Sequence, residues 1–160
     1  MGRRDSVDDL DVELGGDGDD LIPPLAEALD AEMTDRIKRH QADRGEGWRT
    51  IEAPLDLVSV IQGEINPGES VLIDCLTLWL SNLFHHNRDI EQETMALCNA
   101  LQSSQVQIAL VSNEIGLGLV PETSLGRAFR DAQGRLNQNV AAVCDQVDFV
   151  AAGLPLRLKG

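Results

Sequence analysis

The sequence predicts an α/β protein with a mainly parallel sheet flanked by helices, and three stretches carry that reading. Of two short apolar runs, "SVLID" at 70–74 ends in Asp74 and "VQIALV" at 106–111 is followed by Ser112, Asn113 and Glu114. Between them Leu76, Trp79, Leu80 and Leu83 recur at the spacing of one helical face. Continuous apolar strands alternating with amphipathic helices indicate a parallel sheet covered by helices. At 160 residues with 42% hydrophobic content, the chain has the length and composition for one domain with a real core.

Residues 1–25 stand apart as an acidic arm. Eight acids against Arg3 and Arg4 put -6 of the formal net charge of -14 there. Gly15, Gly16, Gly18, Pro23 and Pro24 discourage regular structure, so a disordered or loosely attached arm is expected, followed by a single domain over 26–160. "VDDLDVEL" could offer a short alternating strand, but one with carboxylates along it. From Ala26, the spacing of Leu29, Met33 and Ile37 predicts a helix with His40 at the edge of its buried face, ended by Gly45 and Gly47. The strand at Val71–Ile73 closes on Asp74, and the one at Val106–Val111 leads into Ser112, Asn113 and Glu114. "LGRAFRDAQGRLNQNVAAVCDQ" reads as a helix, interrupted near Gly134. "VDFVAAG" and "LPLRLKG" read as two final strands.

In a chain with a pI near 4.4, the long-range field argues against a general affinity for nucleic acid or an anionic membrane, so phosphate chemistry needs a local basic patch. One exists: five of the 13 basic residues, Arg36, Lys38, Arg39, Arg44 and Arg49, surround His40. A neutral imidazole can attack an α-phosphorus to form a phosphoramidate, and guanidiniums would neutralise charge on the phosphoryl oxygens and the departing pyrophosphate. The bland alternative is a structural or solvent-exposed histidine. Asp74 is likewise double-valued: a carboxylate at a strand's end can hold magnesium beside phosphates, or can cap the helix that follows. His85 and His86 are adjacent and without ligand-spaced partners, so they read as a surface pair. Ser112 and Ser124 lack a nucleophile elbow. Cys75, Cys98 and Cys144 are widely spaced among apolar residues and read as reduced thiols. No apolar run reaches the roughly 18 residues of a membrane span. "MGRRDS" has no hydrophobic signal region behind it, so a cytoplasmic protein is expected.

Four stretches taken together, "AEALDAEMTDRIKRHQADRGEGWRTIE", "VLIDCLTLWLSNL", "LVSNEIGLGLVPE" and "GRAFRDAQGRLNQNVA", resemble the bifunctional adenosylcobinamide kinase / adenosylcobinamide-phosphate guanylyltransferase family of cobalamin synthesis. The resemblance covers the chain from about Ala26 onward and implies a P-loop, RecA-like α/β fold. It implies phosphorylation of adenosylcobinamide by ATP or GTP, then transfer of GMP from GTP to that phosphate through a histidine-bound GMP. The motif places the nucleophile at His40, nucleotide contacts at Gln41, Ala42, Asp43, Arg44 and Glu52, and an acidic nucleotide-binding residue at Asp74. Magnesium accompanies the triphosphate, with Asp74 its candidate ligand, and a homo-oligomer is expected. One departure from the family is plain: its opening strand and Gly-Lys-Ser/Thr phosphate loop have no match here, and the glycines of "LGGDGDD" are followed by aspartates. The first strand, phosphate loop and first helix are therefore expected to be missing or replaced, as a frameshift, wrong start or gene remnant would produce. The kinase step is then in doubt. The alternative reading is a non-catalytic remnant, or an oligomerisation or regulatory subunit of the same fold.

Overall fold

The computed structural model describes residues 12–13, 51, 53–66 and 68–160. Among these residues the main sheet has three parallel strands, β1 (Val12–Glu13), β2 (Ser70–Asp74) and β3 (Gln107–Leu110), in that order. Around it lie α1 (Leu57–Gly63), α2 (Leu76–His85), α3 (Ile90–Ser103) and α4 (Ser124–Val143). The chain closes with an antiparallel hairpin of β4 (Val147–Ala151) and β5 (Leu154–Lys159). The expected α/β class with a parallel sheet is what forms.

β2 is the middle strand of the three, and its burial alternates: Val71 and Ile73 are buried while Asp74, at the carboxyl end, is exposed. It pairs with β3 in register from Ser70↔Gln107 to Ile73↔Leu110. The ladder runs on past both strand ends, as Val111 N–H donates to the Ile73 carbonyl and Leu76 N–H to the Val111 carbonyl, each at 2.9 Å. On the other edge β1 pairs with β2 through Val12↔Ile73 and Glu13↔Asp74. The arm thus differs from the sequence expectation at these two residues. Val12–Glu13 forms a strand there, because the open edge of β2 offers unpaired N–H and C=O groups that a passing segment can satisfy. The remainder of the arm, and the expected helix over Leu29, Met33 and Ile37, lie outside the described residues.

α2 buries Leu76, Trp79, Leu80 and Leu83, the four positions that the sequence spacing selects. They meet Leu57, Val60 and Ile61 of α1, Leu97 and Ala100 of α3, and Ala132, Leu136 and Val140 of α4. Trp79 is fully buried, and its indole N–H donates to the Leu55 carbonyl at 3.0 Å, which removes the cost of burying that donor. α1 and α3 were not anticipated. α3 had a readable start: Asp89 caps it, Oδ1 accepting from Glu91 N–H at 3.1 Å and Gln92 N–H at 3.0 Å, with Glu91 and Glu93 in the first turn. α4 covers most of the stretch expected to be helical. It continues through Gly134 without a break, since Ala132, Gln133 and Leu136 on either side are buried and their packing outweighs about 1 kcal/mol of glycine propensity.

Candidate functional site

In an open parallel sheet, ligands bind outside the carboxyl ends of the strands. Here that edge is marked by Asp74 at the end of β2, with Glu13 of β1 in register beside it and Ser112–Glu114 following β3. Asp74 is exposed, and it does not cap α2. The N-cap of that helix is Cys75, without a side-chain hydrogen bond. The capping alternative therefore loses its support, and an exposed carboxylate is left at the carboxyl end of β2. Thr77, in the first turn of α2, accepts a hydrogen bond from Asn113 N–H at 3.0 Å, which ties the loop after β3 to the residues just past Asp74.

That loop is held from the other side by a polar stripe on α4. Arg127, Arg130, Gln133 and Asn137 are spaced three, three and four residues apart, so they share one helical face. Asn137 Nδ2 donates to the Asn113 carbonyl at 3.1 Å, and Arg130 Nη2 to the Gly116 carbonyl at 2.5 Å. Arg127 Nη1 reaches the carbonyls of Pro121 at 3.0 Å and Glu122 at 2.7 Å. Behind them Ser112 Oγ–H donates to Asn137 Oδ1 at 2.6 Å, and Gln133 Nε2 to both Ser112 Oγ at 3.0 Å and Asn137 Oδ1 at 2.9 Å. Gln133 is fully buried, and its Oε1 has no partner among the described residues. Within the loop, Glu114 Oε1 accepts from Gly116 N–H at 2.6 Å, and Thr123 caps α4 by accepting from Gly126 N–H at 3.0 Å. The third and fourth sequence motifs are therefore one structural unit, a loop and the helix that holds its carbonyls.

Of the sequence-derived site residues, Asp74 stands at the crevice, and His40, Gln41, Ala42, Asp43, Arg44 and Glu52 lie outside the described residues. Thr77, Arg130, Gln133 and Asn137 were not singled out in the sequence. For Arg130, Gln133 and Asn137 the signal was the spacing of polar side chains on one face of α4. His85 and His86 are both exposed at the end of α2, rings edge-on with centroids 5.3 Å apart, as a surface pair should be. No three His, Cys, Asp or Glu side chains among the described residues are grouped to hold a metal. All three cysteines are free, and burial raises the Cys98 and Cys144 thiols above their ordinary value. A shallow cleft lined by Ile61, Ile65, Ala100 and Val106 lies at the opposite, amino end of the strands and brings no titratable side chain with it. Among the described residues no helix is long and apolar enough to cross a membrane.

Comparison with known proteins adds to this geometry. The family model described as cobinamide kinase / cobinamide phosphate guanyltransferase matches residues 25–158. The bifunctional adenosylcobalamin biosynthesis protein CobP of Pseudomonas aeruginosa is 44% identical over 137 residues, covering 84% of this chain and 79% of that protein. The corresponding proteins named CobU from Escherichia coli and Salmonella typhimurium are 36% and 34% identical. They cover 91% and 87% of this chain, and 89% and 85% of their own lengths.

Proposed function

Since the chain belongs to the cobinamide kinase / cobinamide phosphate guanyltransferase family, we propose that it transfers GMP from GTP to adenosylcobinamide phosphate through a covalent adduct on His40. The structural observation that supports this most is the carboxyl edge of the parallel sheet. It presents the uncapped Asp74 between the end of β1 and the Ser112–Glu114 loop, where such sheets take their ligands. His40 Nε2 or Nδ1 would attack the α-phosphorus of GTP, a P–N bond forming as the bond to the bridging oxygen of pyrophosphate breaks. The phosphate of adenosylcobinamide phosphate would then displace the imidazole, giving adenosylcobinamide-GDP and free histidine. Arg36, Lys38, Arg39, Arg44 and Arg49 would neutralise the phosphates, with Gln41, Ala42, Asp43, Arg44 and Glu52 contacting the nucleotide. Magnesium commonly binds through one or two carboxylates plus phosphates and water, so Asp74 alone is a sufficient protein ligand for an ion arriving with GTP.

The kinase half of the family's chemistry is not part of this proposal. The 160 residues contain no Gly-x-x-x-x-Gly-Lys-Ser/Thr sequence, whose backbone N–H groups and lysine would hold the transferred phosphate.

Incubation with GTP labelled at the α-phosphate should leave an acid-labile, base-stable label on the protein and none on His40→Ala. Label retained by His40→Ala would sink the assignment. In the same samples ATP or GTP with adenosylcobinamide should give no phosphorylated corrinoid, and robust turnover would show a phosphate cradle of another kind.

A further inference from the structure

The loop that α4 holds turns a strip of aliphatic side chains outward. Leu117 is 78% exposed, Leu119 96% and Val120 67%, and Leu125 at the start of α4 is 58% exposed. A slack loop could fold such side chains inward. This one is fastened at the carbonyls of Asn113, Gly116, Pro121 and Glu122, so its apolar face is presented by a fixed backbone. Several large apolar side chains exposed along one fastened loop suit a binding surface. Gly118, between the two leucines, adds an independent observation. A Cβ built there would meet only the Ile115 carbonyl, at 4.0 Å, and the residue is not in the left-handed region. Among the described residues neither space nor a positive φ requires glycine there, and its open backbone leaves room for a ligand to lie close against it. Gly116 differs: its Cβ would come within 2.6 Å of Glu114 Oε1, so the loop itself accounts for that glycine.

We propose that Leu117–Val120 is the docking face for the corrinoid ring of the substrate, the macrocycle lying across Gly118 between Leu117 and Leu119. The proposal rests on the family reading for the identity of that substrate. The ligand chemistry fits the strip: a corrinoid has broad apolar faces edged with amides. Its reacting side chain must reach the nucleotide, and the strip stands on the loop that begins beside Asp74 and is tied to Thr77. A ring seated there directs its hydroxyl or phosphate arm along the carboxyl edge of the sheet.

Equilibrium dialysis of the full chain against cobinamide, read by corrinoid absorbance, tests this. Leu117→Ser/Leu119→Ser should weaken binding by about ten-fold or more, since each leucine would lose apolar burial against the ring. Gly118→Val should weaken it by about five-fold or more, by filling space the ring occupies, with no change in the urea unfolding midpoint. Failure of the unaltered chain to bind cobinamide, or variants within about two-fold of it, would overturn the proposal. So would variants that bind normally but change the sedimentation of the protein, because the strip would then be a contact between copies of the chain. Label uptake from GTP at His40 requires no corrinoid and separates the two readings. An adduct without cobinamide binding sinks the docking face alone. Loop-dependent cobinamide binding without an adduct sinks only the histidine mechanism.

Discussion

The parallel pair β2–β3 and the hairpin β4–β5 are both written as apolar runs, yet they are stabilised by different physics. β2 sends Val71 and Ile73 into a core shared with α1 and α2, so its order is a consequence of tertiary burial. β5 is exposed along its whole length, with Leu154, Leu156 and Leu158 at 71%, 59% and 63%. Its order is local. Ala152 and Gly153, with φ of 53° and 74°, form the two-residue turn whose twist suits a hairpin. Asp148 pairs with Arg157 across the strands, and Lys159 Nζ donates to the carbonyls of Ala141 and Ala142 at the end of α4, at 3.0 and 2.9 Å. An apolar run in this chain therefore predicts a strand in both places, but predicts burial in only one.

The sharpest way to break the comparison is to truncate one large side chain in each region. Trp79→Ala should cost about 4 kcal/mol, from lost transfer energy, an unfilled cavity and the orphaned Leu55 carbonyl. Leu156→Ala should cost less than about 0.5 kcal/mol, because little area leaves water at that position. Urea unfolding followed by circular dichroism measures both. Similar losses would mean that the hairpin is covered by something that contributes as much as the core does.

The same contrast explains what could be read in advance. The four buried residues of α2 were legible because a fully buried helical face imposes its period on the sequence. The two β runs were legible as strands for the same reason of apolar continuity. α1 was missed because seven residues, Leu57–Gly63, are too few to show a period, and its start has no side-chain cap. The unbroken α4 was misread at Gly134 because packing on Leu136 and Ala132 overrides local propensity. At the site, Asp74 could be named from its place at a strand's end, but its freedom from capping could not. That depended on Cys75 taking the N-cap position. The stripe from Arg127 to Asn137 has its meaning in partners 14 to 25 residues away in sequence for Gly116 and Ser112, which no local pattern encodes.

A smaller effect probes the hairpin's own turn. Gly153→Ala places a side chain at φ 74°, where an L-residue is strained, although no atom lies within 4 Å of the added Cβ. The expected cost is about 1 kcal/mol from backbone conformation alone. Hydrogen exchange should show it as faster exchange in β4 and β5 with no change in α2 or β2. Uniform acceleration across the whole molecule would mean that the hairpin and the parallel sheet unfold as one unit, and the distinction between them would fail.

The smallest effect lies in the cross-strand pair of the hairpin and has a definite pH signature. The Asp148 carboxylate accepts from Arg157 Nε at 2.5 Å and from Gln146 Nε2 at 2.7 Å. The Arg157 bond first, and the Gln146 bond second, hold its pKa below the ordinary 3.8. A carboxyl whose folded pKa is depressed contributes stability above its unfolded value, and that contribution is lost as pH falls through the folded value. The pair is solvent-exposed, so the contribution is small and weakens with salt. Asp148→Asn keeps the shape and removes the charge. Its urea midpoint should lie slightly below that of the unaltered chain at neutral pH, and the two should converge as pH drops below the ordinary 3.8. The difference should also shrink on adding salt at neutral pH. A gap that widens toward acid, or one indifferent to both pH and salt, would show that Asp148 orders the hairpin through its shape and hydrogen-bonding geometry rather than its charge.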